Sequence, residues 1–338
     1  MSPVPALKGH YRQQRFATTK DTKDTKVKSR LVVNRRTYSA VLGAACLTLA
    51  ASSPARAQLY ESVGIRAQGM GGAFVAVADD SSSTWWNPAG LATGAYFSAI
   101  VEHRTGQGRS DEGTFGVSLA VPSLGLSYYR VRMGIPSANP TESTSARRQD
   151  QGTAGIRTPS FVLRQFGATV GQSLGEYLVI ASTLKLVRAD QTRGDLDVGA
   201  MVRVGSARFA ITAKHVVAPD LTADGNPVTL DRQVRVGAAY APAAGGSVSV
   251  IAAVDADLTT TRMAAGDERH LAGGAELHVG RRVGLRGGVS INTIADLRRS
   301  FSGGASAGIA SGFYIDAQMT RGDDDAKKGW GFDLRVTF

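Results

Sequence analysis

Few side chains after residue 57 could carry acid–base or nucleophilic chemistry. The histidines there are His103, His215, His270 and His278, and the one cysteine, Cys46, precedes them all. An acyl hydrolase would need one of these histidines beside a serine and held by a third polar group. All four fall in or beside segments that read as strands, where a surface or lumen position is the simpler reading, so no enzymatic activity is expected. Asp323-Asp324-Asp325 could hold a divalent ion, but a run of acids between two strands reads first as a solvated loop, and neither metal nor cofactor is expected. Gly69-Met70-Gly71-Gly72-Ala73-Phe74 has Phe where a dinucleotide fingerprint needs its last glycine, and no strand comes before it.

The larger set of polar candidates is ionic. Lys185, Lys214, Arg235, Asp255, Glu276, Arg286, Asp316, Asp333 and Arg335 each fall on one face of a segment in which apolar residues alternate with small or polar ones. Trp330, Phe332, Leu334, Val336 and Phe338 share a face, opposite Gly331, Asp333, Arg335 and Thr337; Val283, Leu285 and Val289 oppose Arg282, Gly284 and Arg286. A period of two means strands. Charges confined to one face, with Leu, Val, Ile, Phe and Ala on the other, suit a lipid-facing wall around a polar lumen. Glu276 and His278 are expected near Arg282 and Arg286, and Asp316 near Asp333 and Arg335, either pairing to stabilise the wall or lining a solute path. The first and third segments divide poorly, because Tyr96, Glu102, Arg130 and Arg132 blur the two faces.

Fourteen such segments are predicted, at about 95–103, 113–122, 124–133, 160–171, 176–188, 195–204, 207–217, 232–241, 247–258, 269–279, 282–292, 300–310, 312–320 and 329–338. Brief turns at Pro122-Ser123, Gln172–Gly175, Gly205-Ser206, Pro242–Gly246, Gly280-Arg281 and Ser311 alternate with longer polar links, the longest being Gly134–Pro159. An even strand number with short turns at one end and long loops at the other marks an outer-membrane barrel; a Greek-key sandwich has no reason to alternate in this way. The predicted fold is therefore all-β, a transmembrane antiparallel barrel. Its last residue, Phe338, falls on the lipid-facing register and is read as an assembly signal.

Charge and composition agree. The 338 residues carry 39 Lys+Arg against 28 Asp+Glu, a net +11. Residues 1–57 hold 11 of the bases and only Asp21 and Asp24 among the acids, leaving 28 − 26 = +2 for the remainder, so nucleic-acid binding loses its electrostatic footprint. Thr37–Ala51 is apolar, follows Arg35-Arg36 and precedes Ala55-Arg56-Ala57, the pattern of a cleaved secretory signal. Residues 1–57 are thus expected to be a basic leader and signal peptide, 58–92 an N-terminal plug segment, and 93–338 the barrel. Removing Cys46 with the leader would leave no thiol for disulfides.

Between the cleavage pattern and the first strand stand Gly64-Ile65-Arg66-Ala67-Gln68-Gly69-Met70-Gly71-Gly72-Ala73, the acidic pair Asp79-Asp80, and Asn87-Pro88-Ala89-Gly90-Leu91. This order resembles the N-terminal signature of the FadL-like outer-membrane family, most closely its PorV/PorQ-type branch. The resemblance implies a fourteen-stranded barrel in which the segment folds inward as a small plug, with Gly69, Met70, Gly71, Gly72, Asp79, Asp80, Asn87, Pro88 and Gly90 as its signature positions. It also implies transport or binding of hydrophobic small molecules or, in the alternative, an anchor or accessory role in protein secretion without channel activity. Physically, Asn87-Pro88 sets a capping side chain before a residue suited to the first position of a helix. The inward faces, rich in Gly, Ala and Ser, favour an open lumen, whereas the scarcity of long apolar loops favours the secretion role. The expected partners are outer-membrane lipids and the barrel-assembly machinery, with hydrophobic ligands or secretion-system proteins according to the role; the expected state is a monomer in the outer membrane of a Gram-negative-type bacterium.

Overall fold

A sheet whose apolar face meets lipid must close on itself, because bilayer hydrocarbon offers no hydrogen-bond partner for an open edge. The computed structural model describes residues 63–106, 113–134, 160–223, 226–242, 247–263, 266–280, 282–323 and 328–338; the leader expected at 1–57, most of the Gly134–Pro159 loop, and Asp324 and Asp325 lie outside them. In chain order the strands are β1 (Ser98–Gly106), β2 (Gly113–Val121), β3 (Leu124–Gly134), β4 (Ser160–Leu174), β5 (Leu178–Arg188), β6 (Thr192–Val204) and β7 (Ala207–Lys214). A short hairpin of β8 (Asp220–Ala223) and β9 (Asn226–Thr229) follows, then β10 (Gln233–Tyr240), β11 (Val248–Asp257) and a second hairpin of β12 (Thr261–Met263) and β13 (Gly266–Glu268). The chain finishes with β14 (His270–Val279), β15 (Val283–Asn292), β16 (Arg299–Ala310), β17 (Phe313–Gly322) and β18 (Gly329–Thr337). Leaving out the two hairpins, fourteen antiparallel strands form one closed barrel, sealed where β1 pairs with β18 from Ser98↔Thr337 to Gly106↔Gly329.

The strand number and pairing match the sequence expectation, but some boundaries do not. The first strand starts at Ser98 rather than 95, because its partner residues run from Thr337 back to Gly329. β6 starts at Thr192, which leaves only residues 189–191 between β5 and β6; that link is as short as the turns at the other end, so the alternation of long and short links is not strict. The stretch Ala218–Asp231, read as a loop, contains the β8–β9 hairpin.

The outer surface is apolar. Leu184, Leu186, Phe209, Leu285, Phe301, Trp330, Phe332 and Leu334 all point outward and are exposed, a load of surface hydrocarbon that suits lipid. Among the described residues no helix is long and apolar enough to cross a membrane; strands of 8 to 15 residues make the crossing. The doubtful faces also separate. Glu102 is buried on the inner face of β1, Tyr129 and Val131 take the inner face of β3, and Arg130 and Arg132 lie on its outer face.

Candidate functional site

The lumen is filled by the segment that precedes β1. From Val63 to Trp86 nearly every residue is buried. The segment runs through a one-turn helix at Ile65–Gly69, a second at Ser83–Trp86 and a 3-10 turn at Pro88–Thr93. Asn87 caps that last turn: its Oδ1 accepts from the Ala89 amide at 3.1 Å, Pro88 stands at the first position, and Nδ2 donates to the Val75 carbonyl at 2.9 Å. The Trp86 indole donates to the Val63 carbonyl at 3.0 Å, drawing the two ends of the segment together.

Close approach to the wall rests on paired glycines. Gly71, with φ +69°, lies against the backbone of Gly288 and Val289 on β15, and a Cβ on Gly288 would run into the Met70 carbonyl. Only glycine on both sides permits backbone contact there. Gly69 lies against the Arg286 side chain and Gly90 against the Ala78 carbonyl, while Gly72 offers its carbonyl to Arg235.

The polar anchors reach the segment from all round the wall. Glu102 on β1 accepts the Gly64 amide at 2.9 Å, and Asp255 on β11 accepts those of Phe74 and Val75 at 2.7 and 2.8 Å. Gln318 on β17 donates to Gln68 at 3.2 Å, and Thr183 on β5 to the Thr84 carbonyl at 3.4 Å. The principal joint is Arg66, which gives Nε and Nη2 to Glu276 on β14, at 2.9 and 2.6 Å to Oε2, and Nη1 to Asp79 at 2.5 Å and Asp80 at 3.2 Å. Asp80 also accepts from the Ser82 amide. Burial opposes charge on both Arg66 and Asp79. Even so, Asp79, Glu276 and Asp80 hold the guanidinium pKa well above its ordinary value, and Arg66 and Arg208 hold the Asp79 carboxyl below its own.

From Glu276 the alternation of sign continues along the wall. Arg286 Nη1 lies 3.5 Å from Glu276, its Nη2 lies 2.5 Å from Asp316, and Asp316 accepts from Arg335 Nε at 2.8 Å. Asp333 sits opposite Asp316 in the register and is buried, and Arg335 lies over the Tyr314 ring. His278 reaches Glu276 only at 3.9 Å, and Arg282 is exposed at the turn, away from this chain of pairs.

Two further clusters complete the lumen. Arg235 pairs with Asp257 at 2.5 Å, and Asp257 also accepts the His270 amide at 2.9 Å. Lys185 Nζ lies 2.8 Å from Asp195, 2.6 Å from Asp197 and 3.2 Å from His215 Nδ1, while Lys214 Nζ sits 3.8 Å above the Trp85 ring. Asp195, Asp197 and His215 could together ligate a metal, but the Lys185 ammonium supplies the positive charge at their centre. All nine of the charges named from sequence face inward and are buried. Arg66, Glu102, Asp195 and Asp197 belong with them; Arg66 lies within the quoted glycine-rich motif, and the sequence marks Glu102 only as blurring the faces of the first strand.

Two pentapeptides fit Gly-x-Ser-x-Gly, at Gly171–Gly175 and Gly304–Gly308. Neither makes the strand-to-helix elbow of a nucleophile. Ser173 is exposed at the end of β4, and Ser306, inside the lumen, bonds to Asp316 and Arg286. Phe338 exchanges backbone hydrogen bonds with Phe97 at 3.0 and 3.1 Å and meets the Phe313 ring edge-on at 5.8 Å, so the terminus lies at the seam of the barrel.

The wall is hollowed where its residues are small. Between outward side chains of β6, β7, β10 and β11 the lipid-facing side of the wall has an open apolar hollow of about 500 Å³, lined by Ala200, Val202, Phe209, Ile211, Val236 and Ala238 among others.

No family model matches the chain, and no curated protein matches it by sequence. Solved structures do share its fold. The toluene transporter TbuX of Ralstonia pickettii superposes with a TM-score of 0.55 at 13% identity, covering 82% of this chain and 99% of its own. The CymD monoaromatic hydrocarbon channel gives 0.54 at 12% identity, covering 83% and 99%, and a Pseudomonas aeruginosa FadL homologue gives 0.50 at 10%, covering 85% and 99%. At such identities the likeness is one of fold.

Proposed function

We propose that this chain is an outer-membrane barrel that binds or passes small hydrophobic molecules, and that the segment Val63–Gly94 controls their passage. The observation that carries the reading is the lumen of a closed fourteen-stranded barrel filled by a segment outside the sheet and held there by Glu102, Asp255 and Glu276 of the wall, so that a path through the barrel must pass it. Fold likeness to a toluene transporter and a hydrocarbon channel supports the substrate class, and the apolar outer surface supports the membrane location. The glycine-rich motif keeps the FadL-like resemblance and, within it, the PorV/PorQ-type secretion accessory as the alternative.

Uptake of a labelled aromatic hydrocarbon and of a labelled fatty acid into vesicles carrying the purified barrel tests the proposal. Saturable flux, altered when Gly69–Ala78 is deleted, is the expected result. Flux at the level of empty vesicles in both forms, with a stoichiometric protein co-purifying from the native membrane, would replace the transport reading with the secretion one.

A further inference from the structure

Three arginines stand side by side on the outside of the barrel. In the registers of β3, β4 and β5, Arg130 is opposite Arg164 and Arg164 is opposite Arg188. All three are exposed and outward-facing, and Arg132 lies two residues further along β3 on the same face. With strands about 4.8 Å apart, the row spans about 10 Å. Like charges directly opposite one another destabilise a sheet, and among the described residues none of the three has an ion pair or a side-chain hydrogen bond.

The neighbouring rows show what surrounds them. One step toward the short turns the same register gives Tyr128, Phe166 and Leu186, and the next gives Leu126, Ala168 and Leu184. An apolar band, then an aromatic rim, then a row of guanidinium groups is the order met on leaving the hydrocarbon for the headgroups. The row also lies at the end of β3 and β4 from which the long 135–159 link departs, the end that faces outward in barrels of this kind.

We propose that Arg130, Arg164 and Arg188 form a binding site for the phosphate groups of a phosphorylated glycolipid in the outer leaflet, its acyl chains lying along Tyr128, Phe166, Leu184 and Leu186. Guanidinium groups suit this task because each can give two parallel hydrogen bonds to a phosphate and never loses its charge. A lipid anion supplies the counter-charge that the protein withholds, and it arrives from the side where its chains are already seated. The site rests on the outer-membrane location proposed above and is independent of whether the lumen conducts.

The test uses the whole barrel, purified in detergent and examined by native mass spectrometry with lipid A, with lipid A lacking both phosphates, with phosphatidylglycerol, and with inorganic pyrophosphate. Wild type should retain lipid A in preference to the other three. Replacing all three arginines (R130Q, R164Q, R188Q) should weaken retention by at least about tenfold, the loss expected for charge-assisted bonds, whereas R203Q with R282Q, exposed arginines at the opposite end, should not. Heat-modifiable migration on a gel reports folding, and R164Q alone is read in its place if the triple variant does not fold. Equal retention by wild type and the row variants, or equal loss in the control pair, would overturn the site. Equal binding of phosphatidylglycerol or of pyrophosphate would overturn the assignment to the outer-leaflet glycolipid. Flux measurements do not enter the outcome, so failure here leaves the transport reading standing, and the reverse.

Discussion

Arg66 and Glu276, 210 residues apart in sequence, meet in a two-pronged ion pair inside the barrel, with Nε and Nη2 of the arginine both within 3.0 Å of the carboxylate. Each is buried, so each depends on the other for the solvation it has lost. Removing one partner of such a pair costs far more than the pair itself contributes, since a charge is then stranded. Here Arg66 keeps Asp79 and Asp80, and Arg286 keeps Asp316, so Glu276→Gln should lower stability in a urea series by about 1.5–3 kcal/mol, and Arg66→Met together with Glu276→Met should cost less than the two single losses added. Additive losses in the double variant would show that the two residues do not act as a unit.

Acid should loosen the plug before it opens the wall. Asp79 has its folded-state pKa depressed by Arg66 and Arg208 despite burial, so its contribution is present above the unfolded value of about 3.9 and is lost as pH falls through the lower folded value. Trp85 and Trp86 are buried in the plug while Trp330 faces outward. Acrylamide quenching of the tryptophan emission should rise below about pH 4 in wild type, and Asp79→Asn should remove that dependence. Quenching independent of pH in wild type would contradict the assignment.

The ammonium of Lys185 stands where a cation would stand. With it removed, Asp195, Asp197 and His215, whose ligand atoms lie within 4.8 Å of one another, would hold a charge deficit that Zn²⁺ can satisfy. Lys185→Ala should bind Zn²⁺ in a calorimetric titration and gain thermal stability from it, while wild type should show neither response. Tight binding to wild type would mean that the lysine yields its place.

Two adjacent residues on β15 should fail for opposite reasons. Leu285 faces lipid, so Leu285→Arg should cost about 2–4 kcal/mol near the bilayer midplane. Arg286 joins Glu276 to Asp316, and Arg286→Leu leaves them to Arg66 and Arg335, so it should cost about 1.5–3 kcal/mol, the worth of a hydrogen bond to a charged group. Urea unfolding in bilayers decides, and tolerance of either substitution would remove the facing or the pairing inferred for it.

Deleting Phe338 removes both backbone bonds to Phe97 and the ring contact with Phe313. The yield of folded barrel, read from heat-modifiable migration, should fall. An unchanged yield would show that neither the seam nor the assembly machinery uses this residue.

The wall was legible in the sequence because lipid punishes every error of alternation. A single charge on the wrong face is costly, so the facing of Lys185, Arg286 or Asp333 follows from its neighbours alone. The pairings were less so. Glu276 with Arg286 could be foreseen, since the turn at residues 280–282 sets them opposite each other. Arg66 could not, because its ligands come from positions 79, 80 and 276, and no local pattern links them. The β8–β9 hairpin escaped for another reason: strands of four residues, with Pro227 in one of them, are too short to show a period. The arginines on β3 looked like a blurred face, and only the register of three strands turns them into a row.

The ring of attachments to the plug has a kinetic meaning. Gly64 is held by Glu102 on β1, Phe74 and Val75 by β11, Arg66 by β14 and Gln68 by β17, and the first strand meets the last across more than two hundred residues of chain. Contacts so distant must wait for the intervening polypeptide, and their loop entropy is paid before they return anything. Until the final strand arrives, Asp316 has no Arg335. The seam closes only when the final strand arrives, so a chain interrupted before residue 329 leaves β1 without its partner strand and Asp316 with Arg286 but not Arg335.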